Sequence, residues 1–146
     1  MSITQFDATD IDEPALQALL DGDTFAPWVR ELNLQVVQVL AGEVELALPV
    51  APLHVHGGGV LCGQTMMAAA DTAMVLAVST LTGGFTPMTT VQLQTSFLRP
   101  IAGDSGTARV TARVLRKGKN LVFGEIEVAD AHGALAAHAT TTYALL

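Results

Sequence analysis

Two periodicities of apolar positions divide this chain. From Leu32 to Pro49 and again from Thr89 onward, apolar and polar residues alternate with a period of two, the mark of half-buried strands. Between them, Thr65 to Leu81 is apolar at nearly every position. Before them, residues 12–21 place Leu16, Leu19 and Leu20 on one face of a short helix. Asp12 is suited to cap it, Pro14 to open it and Gly22 to follow it. A further helical turn is expected around Pro27 to Glu31.

Strands are predicted over 32–40 and 44–49, a loop over 52–61 with three consecutive glycines, and a helix from Gly63 to Leu81. Further strands are predicted over 89–98, 107–115, 121–129 and 134–145, the last three entered through turns rich in Gly, Asp and Asn. A run of antiparallel strands after one helix that is apolar on almost every side implies an α+β domain. Such a helix must be covered on almost every side, and a single curled antiparallel sheet does that. No linker, repeat or low-complexity segment interrupts residues 1–146, so one domain is expected, preceded by a short helical segment over about 12–31.

Composition adds an association partner to this picture. Half of the 146 residues are apolar and only 14% are charged, which favours further burial between subunits. The net charge of −7 disfavours nucleic acid as a partner. Nine of the fourteen acidic residues fall in the first 45 positions, whereas six of the seven basic ones lie from Arg99 onward, with Arg116, Lys117 and Lys119 clustered at a turn. That cluster is a solvated hairpin or a landing site for a small anion. One cysteine, Cys62, excludes an intrachain disulfide and suits a reducing cytoplasm. The start, MSITQFDATDIDE, lacks the basic and apolar blocks of a secretory leader. The apolar helix contains Asp71 and is followed by strands, so a core helix is expected and not a membrane span.

Asp71 is the only charge in that helix. A carboxylate among apolar residues is either paired or at work as a base or nucleophile. The helix start, at Cys62, Gly63 and Gln64, offers free N–H groups backed by the positive end of the helix dipole, a ready oxyanion site. Gly63 and Asp71 lie about 12 Å apart along one helix axis, too far to meet on one carbonyl. Supplying them from two copies of the chain solves this and calls for a dimer with interfacial sites.

Gly63, Ala70-Asp71-Thr72-Ala73, Val91-Gln92-Leu93-Gln94-Thr95-Ser96-Phe97-Leu98-Arg99-Pro100 and Gly103-Asp104 resemble the hotdog-fold acyl-CoA thioesterases of the phenylacetate-pathway and 4-hydroxybenzoyl-CoA type, over about 120 of the 146 residues. In that family a His-Gly-Gly triplet opens the helix and an acidic residue follows nine positions after the histidine. Here the triplet falls on Cys62-Gly63-Gln64 and the acid on Asp71; the Asn or Gln that many members carry six residues earlier falls on His56. The resemblance implies hydrolysis of an acyl-CoA to free acid and CoA, with the Gly63 N–H polarising the carbonyl and Asp71 as general base or nucleophile. It places His56 beside the reaction and Cys62, Gln64, Thr72, Met88 and Thr89 around the substrate. Arg99 and the Arg116-Lys117-Gly118-Lys119 turn are the counter-charges for CoA phosphates. Replacement of the family's His and second Gly by Cys62 and Gln64 is a departure; as a nucleophile Cys62 has no evident base.

No cofactor is expected, CoA being part of the substrate, and no histidine–carboxylate spacing suggests a metal. The expected assembly is a homodimer that pairs into a homotetramer, although nothing in the sequence chooses between the two states. Three other readings stay open: a hydratase or dehydratase of enoyl or hydroxyacyl thioesters using His56 with Asp71, a non-catalytic acyl-CoA binder, and a structural or interaction domain in which Asp71 is merely paired.

Overall fold

The computed structural model describes Phe6 and residues 9–146; most of the start, MSITQFDATDIDE, and with it the expected lack of a leader, lies outside them. Helix α1 (Glu13–Asp21) opens on Asp12, whose Oδ1 accepts from the Ala15 N–H at 3.0 Å. Leu16 and Leu20 bury its inner face. Asp12→Ala removes this cap and is expected to destabilise the fold by about 1 kcal/mol. Calorimetry should show the midpoint lowered by roughly 2–4 °C.

A 3-10 helix, Pro27–Leu32, follows and ends at Asn33, which takes a left-handed backbone (φ 51°). This reversal delays strand β1 to Gln35–Leu40, three residues later than the alternation predicts. Strands β2 (Glu43–Pro49), β3 (Met88–Phe97), β4 (Thr107–Lys117), β5 (Leu121–Ala129) and β6 (Leu135–Leu145) match the predicted segments to within two residues at each end. Helix α2 runs Gly63–Thr82 and stops at Gly83, whose positive φ of 75° suits glycine.

All six strands form one antiparallel sheet in the order β1-β2-β4-β5-β6-β3. Its concave face wraps α2. Val44, Leu46 and Leu48 of β2, Val110 and Ala112 of β4 and Ile126 and Val128 of β5 close on Ala69, Ala73, Met74 and Ala77 of the helix. The convex face is polar: Arg113 donates to Glu43 at 3.0 Å and to Glu127 at 2.9 Å, and Arg109 pairs with Glu45. By length and composition α2 could cross a membrane, but 72% of its apolar window is buried inside the fold.

Strand order leaves β3 at an edge beside β6, with its other side unpaired among the described residues. That edge is long and apolar in places: Val91 is 60% exposed, Phe97 48%, and Leu98 just beyond it 57%. Natural proteins seldom leave such an edge open to solvent.

Candidate active site

Asp71 sits mid-way along α2, facing the β3–β6 pair. Thr90 on β3 and Tyr143 on β6 are direct partners in the sheet register, so both hydroxyls leave the same face at the same level. Both reach Asp71. The Thr90 hydroxyl donates to Oδ1 at 2.9 Å, and the Tyr143 phenol donates to the same Oδ1. The Tyr143 oxygen also lies 2.9 Å from the Asp71 backbone carbonyl. Tyr143 is 2% exposed. Burial first, then the charge of Asp71, raises its phenol far above the usual tyrosine range, so it is a proton donor at every working pH.

Sequence reasoning placed Thr89 here. Thr89 is exposed, and its neighbour Thr90 makes the contact. A bulge between Thr90 and Gln92 shifts the alternation by one and turns Val91 outward. Met88 packs partly buried against the core. Thr72 is buried with its hydroxyl donating to the Ala68 carbonyl at 2.8 Å, which ties it to the helix backbone.

At the other end of the site, the first-turn N–H groups of Gly63, Gln64 and Thr65 lack intrahelical acceptors. Cys62 occupies the cap position without capping through its side chain; its Sγ lies 2.9 Å from the Thr65 hydroxyl. A Cβ on Gly63 would lie 3.1 Å from the Phe97 ring, so glycine lets the end of β3 close over the helix start. Gly63 shares a cleft of about 450 Å³ with Leu61, Met66, Phe97, Leu98, Arg99 and Pro100. On the opposite flank of the helix start, a cleft of about 250 Å³ is lined by Trp28, Leu32, His54, Gln64, Thr65 and Ala68 among others. His54 therefore faces the helix start, while His56 is exposed and its Nδ1 accepts from the Gly58 N–H at 2.9 Å within its own loop.

The two basic groups lie at opposite ends of β3. Arg99 lies two residues beyond its last, Phe97. The Arg116–Lys119 turn, closed by a 2.8 Å bond from the Gly118 N–H to the Leu121 carbonyl, sits beside its first. Asn120 in that turn accepts from Leu145, which pairs with Met88. One protomer thus has Asp71 and the basic turn at one end, and Gly63 and Arg99 at the other. Among the described residues, no cluster of three or more His, Cys, Asp or Glu could hold a metal.

The family model described as the thioesterase superfamily matches residues 54–137, more than half of the chain and all of the segment from His54 through the site helix and β3. The chain belongs to the thioesterase superfamily. A Saccharolobus solfataricus protein, provisionally named an esterase, is 31% identical to this thioesterase over 115 residues, covering 79% of this chain and 80% of that one. Among solved structures, the E. coli PaaI protein from the phenylacetic acid degradation operon superposes with a TM-score of 0.78 at 22% identity, over 91% of each chain. A Streptococcus pneumoniae protein described as a hypothetical thioesterase, solved with coenzyme A, superposes with a TM-score of 0.71 at 17% identity, covering 78% of this chain and 86% of that one. The curled sheet around one central helix is the hotdog fold, and the enzyme is a hydrolase of thioester type.

Proposed function

We propose that this thioesterase hydrolyses an acyl-CoA at sites shared between two copies of the chain. The observation that carries the proposal is the split along β3: the carboxylate end and the oxyanion end cannot meet within one protomer. Antiparallel pairing of the open β3 edge with that of a second copy brings the start of one strand beside the end of the other. Asp71 of one copy then approaches Gly63 of the other, and one symmetric contact creates two equal sites. The exposed Val91, Phe97 and Leu98 would be covered by the same pairing.

In this arrangement the Gly63 N–H receives the developing oxyanion. Asp71 either takes a proton from water as the water oxygen attacks the carbonyl carbon, or attacks directly to give an anhydride that water then cleaves. The thiolate of CoA leaves and is protonated. Arg99 of one copy and the Arg116–Lys119 turn of the other converge at the mouth as counter-charges for phosphates. Coenzyme A in the Streptococcus pneumoniae relative supports the choice of carrier. His56 remains our assignment beside the reaction, Cys62, Gln64, Thr72, Met88 and Thr89 our assignments for the substrate surroundings, and pairing of dimers into a tetramer our reading of the apolar-rich composition. Asp130 is held below the usual carboxylate range chiefly by the Ala134 backbone N–H, with the His132 N–H and the Arg99 charge contributing. The single cysteine favours the cytoplasm as its compartment.

A panel of acyl-CoA esters with a free-thiol reagent tests this reading. At least one ester is expected to release CoA well above the uncatalysed rate, and equilibrium sedimentation is expected to show a dimer or a multiple of it. The matching N-acetylcysteamine thioester is expected to be cleaved with a higher KM, since it lacks the phosphates. A product that stays esterified would favour hydration or dehydration, binding without turnover a non-catalytic role, and an active monomer would remove the shared site.

A further inference from the structure

Tyr143 is a buried titratable group that the hydrolytic steps above leave unused, and it touches the carboxylate they depend on. Both hydroxyl donors, Tyr143 and Thr90, converge on Oδ1 of Asp71, while Oδ2 receives neither. The two come from neighbouring strands locked in register, one of them almost wholly buried. A carboxylate on an isolated helix can rotate about its side-chain bonds; one whose first oxygen is gripped from two strands cannot.

We infer that Tyr143 is a positioning residue that, with Thr90, anchors Oδ1 and leaves Oδ2 as the oxygen that meets water or the thioester. The inference rests on the reading of Asp71 as the working carboxylate.

A hydrogen bond donated to a carboxylate is stronger than one donated to a neutral acceptor. The phenol carries one proton and cannot donate to Oδ1 and to the Asp71 carbonyl together. While Asp71 is ionised, the carboxylate is the stronger acceptor. Once Oδ2 has taken a proton from water, the carbonyl at 2.9 Å offers the phenol a second acceptor without moving the ring. Tyr143 thus remains satisfied through the cycle and never gives up its proton. Asp71 is the charged group acting on it and Thr90 the other polar one; no further titratable side chain is bonded to the trio among the described residues.

The test measures kcat and KM against pH for the best acyl-CoA of the panel, in the wild type, Tyr143→Phe, Thr90→Val, Thr90→Ser and Asp71→Asn. Tyr143→Phe is expected to lose about tenfold or more in kcat, from one hydrogen bond to a charged group, with KM held within roughly threefold. Thr90→Val should follow in the same direction and Thr90→Ser should recover. Wild-type kcat in Tyr143→Phe would overturn the inference. So would a kcat loss that merely tracks the unfolded fraction. Retained hydrolysis by Asp71→Asn would instead overturn the reading on which the inference rests. The chain has one tyrosine, so tyrosinate absorbance reports Tyr143 alone. In Asp71→Asn it is expected to appear at lower pH than in the wild type, because a neighbouring negative charge is gone; an unmoved titration would uncouple the two groups and sink the clamp.

Discussion

Asp71→Asn is expected to lower acyl-CoA hydrolysis by about 10²-fold or more, the usual scale for removing a general base, and by more if the carboxylate is itself the nucleophile. The amide keeps the shape of the carboxylate, and its oxygen can still accept from Thr90 and Tyr143. The midpoint of thermal unfolding should therefore stay close to that of the wild type, and the assembly should be unchanged. Separating turnover from stability matters because Asp71 packs against a buried phenol, and a variant such as Asp71→Ala would disturb both. Single-turnover experiments with the same panel check the result. Hydrolysis near the wild-type rate, in a folded Asp71→Asn dimer, would remove Asp71 from the chemistry and return it to the status of a paired helix carboxylate.

The second large effect is on stability. Gly124 lies in the interior of β5, where the sheet closes on α2. A Cβ there would stand 2.8 Å from the Arg113 carbonyl oxygen and 2.8 Å from the Met74 sulfur, with the Met74 methyl nearer still. Met74 can move; the backbone of the neighbouring strand cannot without loosening the β4–β5 ladder. Gly124→Val is therefore expected to cost about 3 kcal/mol, the upper range for overpacking a core. At fixed protein concentration this should lower the midpoint by roughly 6–12 °C. Met74→Ala in the same chain should return part of the loss, and the non-additivity measures their contact. An unchanged midpoint would mean that helix and sheet are less closely packed at this point than the geometry states.

Local features of this enzyme were legible from residue order. Asp12 caps the helix it was expected to cap, β5 spans the expected residues, and the all-round apolar character of α2 foretold its place inside the sheet. Asp71 stood out because a lone charge in an apolar helix is costly. What surrounds Asp71 was not legible. Tyr143 is 72 positions away and reaches it only through the β3–β6 register, which no local pattern encodes. Thr90 was hidden by the bulge, since strict alternation assigns the inward side to Val91, the residue that is turned out. The edge position of β3 was equally hidden: it depends on β6 returning to pair with a strand three elements earlier along the chain, beyond the reach of periodicity. Asn33 ended a helical turn and delayed a strand by adopting a conformation that asparagine tolerates and most residues do not.

The order of elements also has a consequence in time. Helix α2 is made before β3, β4, β5 and β6, and until they arrive it has only earlier elements such as β2 and the 3-10 helix Pro27–Leu32 to pack against. At ordinary rates of synthesis the 63 residues from Gly83 to Leu145 take about 3–13 s to follow. For that interval the ribosome carries a twenty-residue apolar segment with the length of a membrane span and most of its cover unbuilt. The window of exposure closes only when the last strand, bearing Tyr143, slides in between β5 and β3.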